Sequence, residues 1–166
     1  MKYYVFAFFF LLGSCVCGQD TAKTKIEIKH FIGAGAGFTT GYGLSYRLIY
    51  DKYGAQLNFG PMSSQNSFTT ISSGLTLLYK LAELDESNIY VYWGNHLFYR
   101  NEVHFYLSNG LKYNEKSTKW NTGLGIDLEL NKEKRLVFNI MFGFGAYDSF
   151  ITKTLTGELG LHYRIN

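Results

Sequence analysis

Cysteine and proline are scarce in this chain of 166 residues, and each shortage excludes a class of fold. The two cysteines, Cys15 and Cys17, both lie near the start, so a fold held together by disulfides is excluded. The one proline, Pro61, stands among 18 glycines. Proline cannot donate to a strand ladder, so its near absence is typical of a chain that is mostly paired strand.

Charge is also sparse. Charged residues make up 17% of the chain and the net charge is +3, with no basic cluster interleaved with aromatics on a helix. Nucleic-acid binding is therefore not expected. Aromatic residues are abundant instead, with 14 tyrosines and 14 phenylalanines, which is high for a water-soluble domain.

The only long apolar run is at the N-terminus and resembles an export signal. Lys2 is followed by the apolar segment 3–12 and by small residues up to Gly18. About ten apolar residues are too few for a membrane-spanning helix. We predict a cleaved signal peptide at 1–18 and a periplasmic lead-in at 19–29. The alternative is lipidation of Cys15, because residues 12–15 resemble a bacterial lipobox.

The segment 88–130 predicts a long β-hairpin. Asn109-Gly110 suits a two-residue type I′ turn, and folding the chain there places Tyr99 opposite Trp120 and Gly94 opposite Gly125. One face of the pair is then apolar, and the other is small, polar or charged. The apolar stretch has the length of a tilted transmembrane strand, about 9–11 residues.

The same alternation recurs throughout the mature chain. It predicts eight strands joined by hairpins, starting near residues 30, 42, 53, 68, 88, 111, 135 and 154. We therefore predict an all-β fold, an eight-stranded antiparallel up-and-down transmembrane β-barrel over 30–166. The hairpin at about 100–119 would extend beyond the membrane on the side opposite the termini.

The barrel lumen is too narrow for the bulky apolar faces, so those faces are predicted to contact lipid. The polar face would then line the lumen, and a soluble barrel with the opposite polarity is disfavoured. The predicted lumen network comprises Arg47, Lys80, His96, Arg100, Asp127, Glu129, Glu158, His162 and Arg164. We interpret it as a plug of paired charges; the alternative is an ion or proton path, that is, a narrow channel.

With this pattern, the chain resembles the small eight-stranded outer-membrane proteins of the OmpA/OmpX type. The C-terminal Gly160, Tyr163 and Ile165 are similar to that family's assembly signal, although Asn166 follows where the family commonly ends on Phe. The resemblance implies an integral outer-membrane protein with both termini in the periplasm. It also implies recognition by the barrel assembly machinery, contact with outer-membrane lipid and a monomeric state.

The functional prediction is a non-enzymatic barrel with a structural or surface-interaction role. The external hairpin is its expected contact surface for a ligand or protein partner, with the residues Val103, Phe105, Leu107, Lys112 and Lys116. The alternative is a lipid-modifying outer-membrane enzyme, because His104 and Ser108 faintly resemble the catalytic motif of outer-membrane lipid A deacylases, but with a spacing of four instead of two. No catalytic residue, metal or cofactor is predicted.

Overall fold

In the computed structural model the described residues are 27–64, 68–105, 112–131 and 134–166, of which 103–105 and 112 are described by their backbone alone. They form eight strands: β1 (Ile28–Gly37), β2 (Gly41–Tyr50), β3 (Tyr53–Ser64), β4 (Phe68–Glu83), β5 (Ser87–Phe105), β6 (Lys112–Leu130), β7 (Leu136–Tyr147) and β8 (Thr152–Arg164). Within these ranges no helix is long and apolar enough to cross a membrane.

The strands pair in chain order and the sheet closes on itself through β1 and β8. All pairs are antiparallel, which confirms the predicted eight-stranded closed barrel. Because the number of strands is even, the first strand begins and the last strand ends at the same end of the barrel. At the closing seam Asn166 Oδ1 accepts from the His30 amide at 2.8 Å, and Asn166 Nδ2 donates to Ile28 O at 3.0 Å.

Alternation divides the wall into two faces as predicted. Large apolar side chains of every strand are exposed on the outer surface, among them Leu44, Leu57, Leu124, Phe142 and Leu155. Between the rims, the described outward positions carry no Asp, Glu, Lys or Arg. The inward positions carry the buried polar and charged side chains.

The predicted register of the long hairpin is wrong by two residues. Tyr99 pairs with Thr118 instead of Trp120, and Gly94 pairs with Gly123 instead of Gly125. A shift of two leaves every side chain on its predicted face, so the apolar pattern cannot detect it. The predicted turn at Asn109-Gly110 lies outside the described residues.

The first hairpin is short, and its turn folds into the barrel. β1 and β2 have 10 residues each, whereas β5 and β6 have 19 each. The three-residue turn from Phe38 to Thr40, here called the inward turn, therefore ends below the outer rim, by which we mean the end of the barrel opposite the chain termini. Thr39 and Thr40 are each 1% exposed, and Gly41 continues the chain at φ +84°, a conformation that favours glycine.

Several predicted boundaries shift by a few residues. β1 begins at Ile28, so the last two residues of the predicted lead-in belong to the barrel. β3 continues through Pro61 to Ser64, where a polar loop was predicted. Proline is tolerated there, close to the outer end of a strand. The predicted signal peptide at 1–18 and the alternative lipidation site at Cys15 lie outside the described residues.

Candidate functional site

The centre of the lumen holds one cation between two carboxylates. Arg47 Nη2 donates to Asp127 Oδ2 at 2.6 Å and lies 3.3 Å from Glu129 Oε2. Arg47 and Asp127 are 0% exposed, and the guanidinium also lies over the ring of Tyr90, 5.1 Å from its centroid. Because water is excluded from both partners, the stability of such a pair depends on close contact and well-placed hydrogen bonds.

Two further predicted lumen residues extend this centre. Glu158 Oε1 accepts from Gln56 Nε2 at 2.8 Å, and Gln56 also lies 3.4 Å from Arg47 Nη1. The ring of His162 lies between Asn139 Oδ1 at 2.9 Å and Ser45 Oγ at 2.8 Å. Five predicted residues of the lumen network therefore come together: Arg47, Asp127, Glu129, Glu158 and His162.

Three of the predicted lumen cations lie elsewhere, which corrects that part of the prediction. Lys80 pairs with Glu83 at 3.0 Å near the end of β4, and Arg100 pairs with Glu102 in the long hairpin of β5 and β6. Arg164 donates to Lys134 O at 3.2 Å at the terminal rim. All three have inward parity, but parity does not determine the height of a residue along the barrel. The buried charges among the described residues are thus one guanidinium and three carboxylates.

The inward turn fills the lumen above this centre. The Phe38 carbonyl accepts from His96 Nδ1 at 2.9 Å and from Asn121 Nδ2 at 3.1 Å. Asn58 Nδ2 donates to the carbonyls of Thr40 at 3.0 Å and Gly41 at 3.2 Å. The backbone of a buried turn needs such partners because water cannot reach it.

Glycines in four strands form the socket of the inward turn. A Cβ on Gly74 or Gly94 would meet a carbonyl oxygen of the turn, and a Cβ on Gly123 or Gly145 would meet the side chain of Thr39. Thr39 Oγ1 also lies 3.2 Å from Thr156 Oγ1 in β8. These glycines lie on the face that the sequence predicts to line the lumen, but the sequence did not predict what they accommodate.

Sequence reasoning also missed an apolar cluster inside the barrel. Its side chains are at most 4% exposed. They have inward parity, so the lumen contains packed apolar side chains in addition to the polar centre. Its members are Phe31, Ile49, Leu78, Tyr90, Tyr92, Val137 and Met141.

Tyr42 is turned into the barrel mouth, although alternation predicts it on the outer face. Gly43 has φ +121°, which interrupts the alternation, and the Tyr42 ring packs against His96 at 6.0 Å and Phe98 at 6.3 Å between centroids. Ser72 Oγ accepts from the Tyr42 amide at 3.0 Å and lies 2.9 Å from His96 Nε2. These contacts fit a neutral His96 ring that carries its proton on Nδ1.

The predicted hairpin surface is described in part. Val103 pairs with Asn114 and Phe105 with Lys112 through the backbone, and Lys116 is exposed. The side chains of Val103, Phe105, His104 and Lys112 are not described, and Leu107 and Ser108 lie outside the described residues. β6 pairs with β7 only from Thr122 onward, whereas β4 pairs with β5 as far as Glu102, so the ribbon of β5 and β6 projects past both neighbours from Val103.

The residues of the predicted assembly signal lie in and beside the closing strand β8. Tyr163 and Ile165 are exposed on the outer surface, whereas Gly160 is inward. A Cβ on Gly160 would lie 2.9 Å from His162 Cε1, so glycine there leaves room for the buried imidazole.

The side chains of the lumen are arranged to fill and seal the barrel, and the arrangement does not point to a reaction. The ring nitrogens of His96 and His162 are all within hydrogen-bond distance of neutral partners. Among the described residues no group of three His, Cys, Asp or Glu side chains has the arrangement to hold a metal ion.

No protein-family model matches the sequence, and no curated protein matches it. The chain is similar in structure to a major outer membrane protein from Thermus thermophilus, with a TM-score of 0.53, 14% identity and coverage of 84% of this chain and 100% of that one. The N-terminal β-barrel domain of Pseudomonas aeruginosa OprF matches with a TM-score of 0.47, 14% identity and coverage of 83% and 96%. Ail of Yersinia pestis, in complex with the heparin analogue sucrose octasulfate, matches with a TM-score of 0.44, 15% identity and coverage of 86% and 100%. The closed, all-antiparallel wall and the first of these likenesses give the chain the fold of a small eight-stranded outer-membrane β-barrel.

Proposed function

We propose that this chain is an integral, non-enzymatic outer-membrane barrel whose external ribbon of β5 and β6 is a contact surface. The observation that supports the membrane location is the outer surface. Apolar side chains cover it between the rims, and the charges are placed inside or at the ends. A lysine or arginine at the bilayer midplane of a barrel costs about 2–4 kcal/mol, which explains such a distribution.

The ribbon carries the interaction part of the proposal. Past Glu102, the last residue of β5 that pairs with β4, it continues in register to Phe105 and Lys112, which projects about 10 Å at about 3.3 Å per residue. Strands that project past a sheet offer backbone edges and side chains to another chain. The segment 112–120 contains three lysines and one glutamate, so we expect an acidic partner.

The inward turn argues against the alternative of a narrow channel. Thr39 and Thr40 are buried among four strands, and Arg47 closes the lumen below them. We expect the protein to give no steady conductance in planar bilayers. The enzymatic alternative rests on His104 and Ser108. The described lumen also holds two serine–histidine pairs, Ser45 with His162 and Ser72 with His96, but all four side chains are buried, so a substrate would not reach them.

The membrane location is tested by gel migration and protease access. Protein from the membrane fraction should migrate differently before and after boiling, as a closed barrel does. Protease added to whole cells should cut only within the external hairpin. Migration that boiling does not change, together with recovery in the soluble fraction, would contradict the proposal.

The contact surface is tested with a shortened ribbon. Residues 103–114 are replaced by Asn-Gly, which joins the paired residues Glu102 and Glu115 without changing the register. Proteoliposomes of the parent protein should bind beads coated with polyglutamate, and the shortened variant should lose this binding while its gel migration is unchanged. Beads coated with polylysine are the control surface.

A single charge reversal tests whether the charge of the ribbon is responsible for the binding. Lys116→Glu should weaken binding to polyglutamate beads, whereas Lys134→Glu at the opposite end of the barrel should not. Exposed charges are screened by salt, so the binding should also fall between low and high ionic strength. Equal binding by the two variants would refute the ribbon as the contact surface.

A further inference from the structure

Above the inward turn, the barrel wall has a notch. The pairing of β1 with β8 stops at Gly37 and Glu158, but β8 continues outward to Thr152. On the other side, the pairing of β2 with β3 stops at Leu44 and Phe59, but β3 continues to Ser64. The short first hairpin therefore leaves the outer parts of β3 and β8 without β1 and β2 between them.

A cavity of about 510 Å³ passes through this notch. Ala36 and Gly157 line it from the outer surface, and His96 and Phe98 line it from inside the barrel. Because successive side chains point to opposite faces of a strand, this lining joins residues of the outer face to residues of the inner face. Its volume lies within the range of about 300–1,000 Å³ that is usual for small-ligand pockets.

The interior of the cavity is apolar. The rings of Tyr42 and Phe98 pack there beside His96, with Phe38 at the entrance. Both nitrogens of His96 have partners in the protein. Asn121 likewise donates to Phe38 O and accepts from the Asp148 amide at 3.1 Å. These lining side chains therefore leave no unmet need for water, which favours an apolar occupant.

Lys119 adds a cationic group at the mouth. Its ammonium lies 2.7 Å from Asp148, and both side chains are more than two-fifths exposed, so another carboxylate can exchange with Asp148 at little cost. Asp148 begins a turn of three consecutive non-glycine residues with positive φ, at 51°, 59° and 77°. Backbone strain of this kind persists where surrounding contacts impose it, and it is concentrated at functional sites.

The entrance faces the hydrocarbon region. Leu155 in β8 and Phe59 in β3 flank the notch, and both are more than half exposed on the outer surface. We propose that the cavity binds the alkyl chain of a long-chain fatty acid, which enters from the bilayer through the notch and places its carboxylate at Lys119. This inference rests on the membrane location proposed above.

Photolabelling separates the inside of the wall from the outside. The full protein in phosphatidylcholine vesicles is irradiated with hexadecanoic acid that carries a diazirine at the chain end, and adducts are mapped by tandem mass spectrometry. We expect adducts on the inward Phe98 and Tyr42 in addition to the outward Leu97. Adducts on Leu97 without any on Phe98 or Tyr42 would overturn the inference and leave the membrane location standing. The absence of adducts on outward residues would overturn both.

Two blocking variants test the entrance. A Cβ on Gly157 would have Met141 O, at 3.5 Å, as its nearest heavy atom, so Gly157→Phe can be accommodated, and Ala36→Phe blocks the same notch from β1. Both should lose the inward adducts and keep the outward ones. Ile126→Phe, which adds the same ring to the lipid-facing side of β6, should keep both. Inward labelling that is equal in Gly157→Phe and Ile126→Phe would overturn the proposed entrance.

The head group is tested with the methyl ester of the same probe. Lys119→Gln should reduce inward labelling by the acid to the level of the ester and leave the labelling by the ester unchanged. If the acid and the ester label the parent protein equally, the role of Lys119 is refuted.

Discussion

Replacement of Arg47 by methionine tests the lumen centre most directly. The side chain of Arg47 is 1% exposed, and its guanidinium lies 2.6 Å from Asp127 and 3.3 Å from Glu129, whose side chains are 0% and 4% exposed. Arg47→Met keeps a long side chain but leaves both carboxylates buried without their cation. Loss of one partner of a buried ion pair costs about 3–5 kcal/mol, and we expect a loss of this size in the free energy of unfolding.

Arg100→Met is the matched control. Arg100 was predicted in the same network, but its side chain is 47% exposed and its partner Glu102 is 31% exposed. Exposed ion pairs contribute about 0–1 kcal/mol, so this variant should lose little. A triple variant of Arg47→Met with Asp127→Asn and Glu129→Gln should recover most of the loss, because it removes the stranded charges together with the cation.

The assay is urea unfolding of the protein in lipid vesicles, followed by gel migration and tryptophan fluorescence. The expected order of stability is parent, Arg100→Met, the triple variant and, last, Arg47→Met. Equal losses in Arg47→Met and Arg100→Met would refute the conclusion that Arg47 alone neutralises the buried carboxylates. A triple variant that is less stable than Arg47→Met would refute the electrostatic cause.

Three further substitutions, with Gly157→Val as a control, test the inward turn and the seam in the same assay. Gly74→Val should cost about 1–3 kcal/mol because its side chain would collide with the Thr40 carbonyl, whereas Gly157→Val, with Met141 O at 3.5 Å, should cost less. Asn58→Leu should cost about 1–3 kcal/mol because the carbonyls of Thr40 and Gly41 lose their shared donor. Asn166→Ala should cost about 1 kcal/mol through the lost bonds to His30 and Ile28; an unchanged unfolding midpoint would show that the C-terminal amide does not hold the seam.

The faces of the strands were predictable from the sequence because they depend only on alternation. Register and height were not. Tyr99 keeps its face whether it pairs with Trp120 or with Thr118, so the apolar pattern fits both registers equally. For the same reason Arg100 and Arg47 look alike in sequence, although one is half-exposed in the ribbon and the other is buried at the centre.

The missed features arise where long-range packing replaces the local pattern. Tyr42 follows the outward parity in sequence, but Gly43 at φ +121° turns it towards His96. The inward turn depends on the difference in length between the first hairpin and its neighbours, which no single segment reveals. The glycines Gly74 and Gly94 were the available signal, because a run of inward positions without side chains requires something else to fill the space.

The inward turn contacts many strands of the barrel at once from inside. Its partners lie in strands β3 to β8, so its final position exists only when the ring of strands is complete. We therefore expect wall closure and lumen sealing to occur together during assembly. A sheet that lacks some of these strands would lack contacts for Thr39 and Thr40. In the closed barrel, we expect the turn to support the wall from inside against flattening.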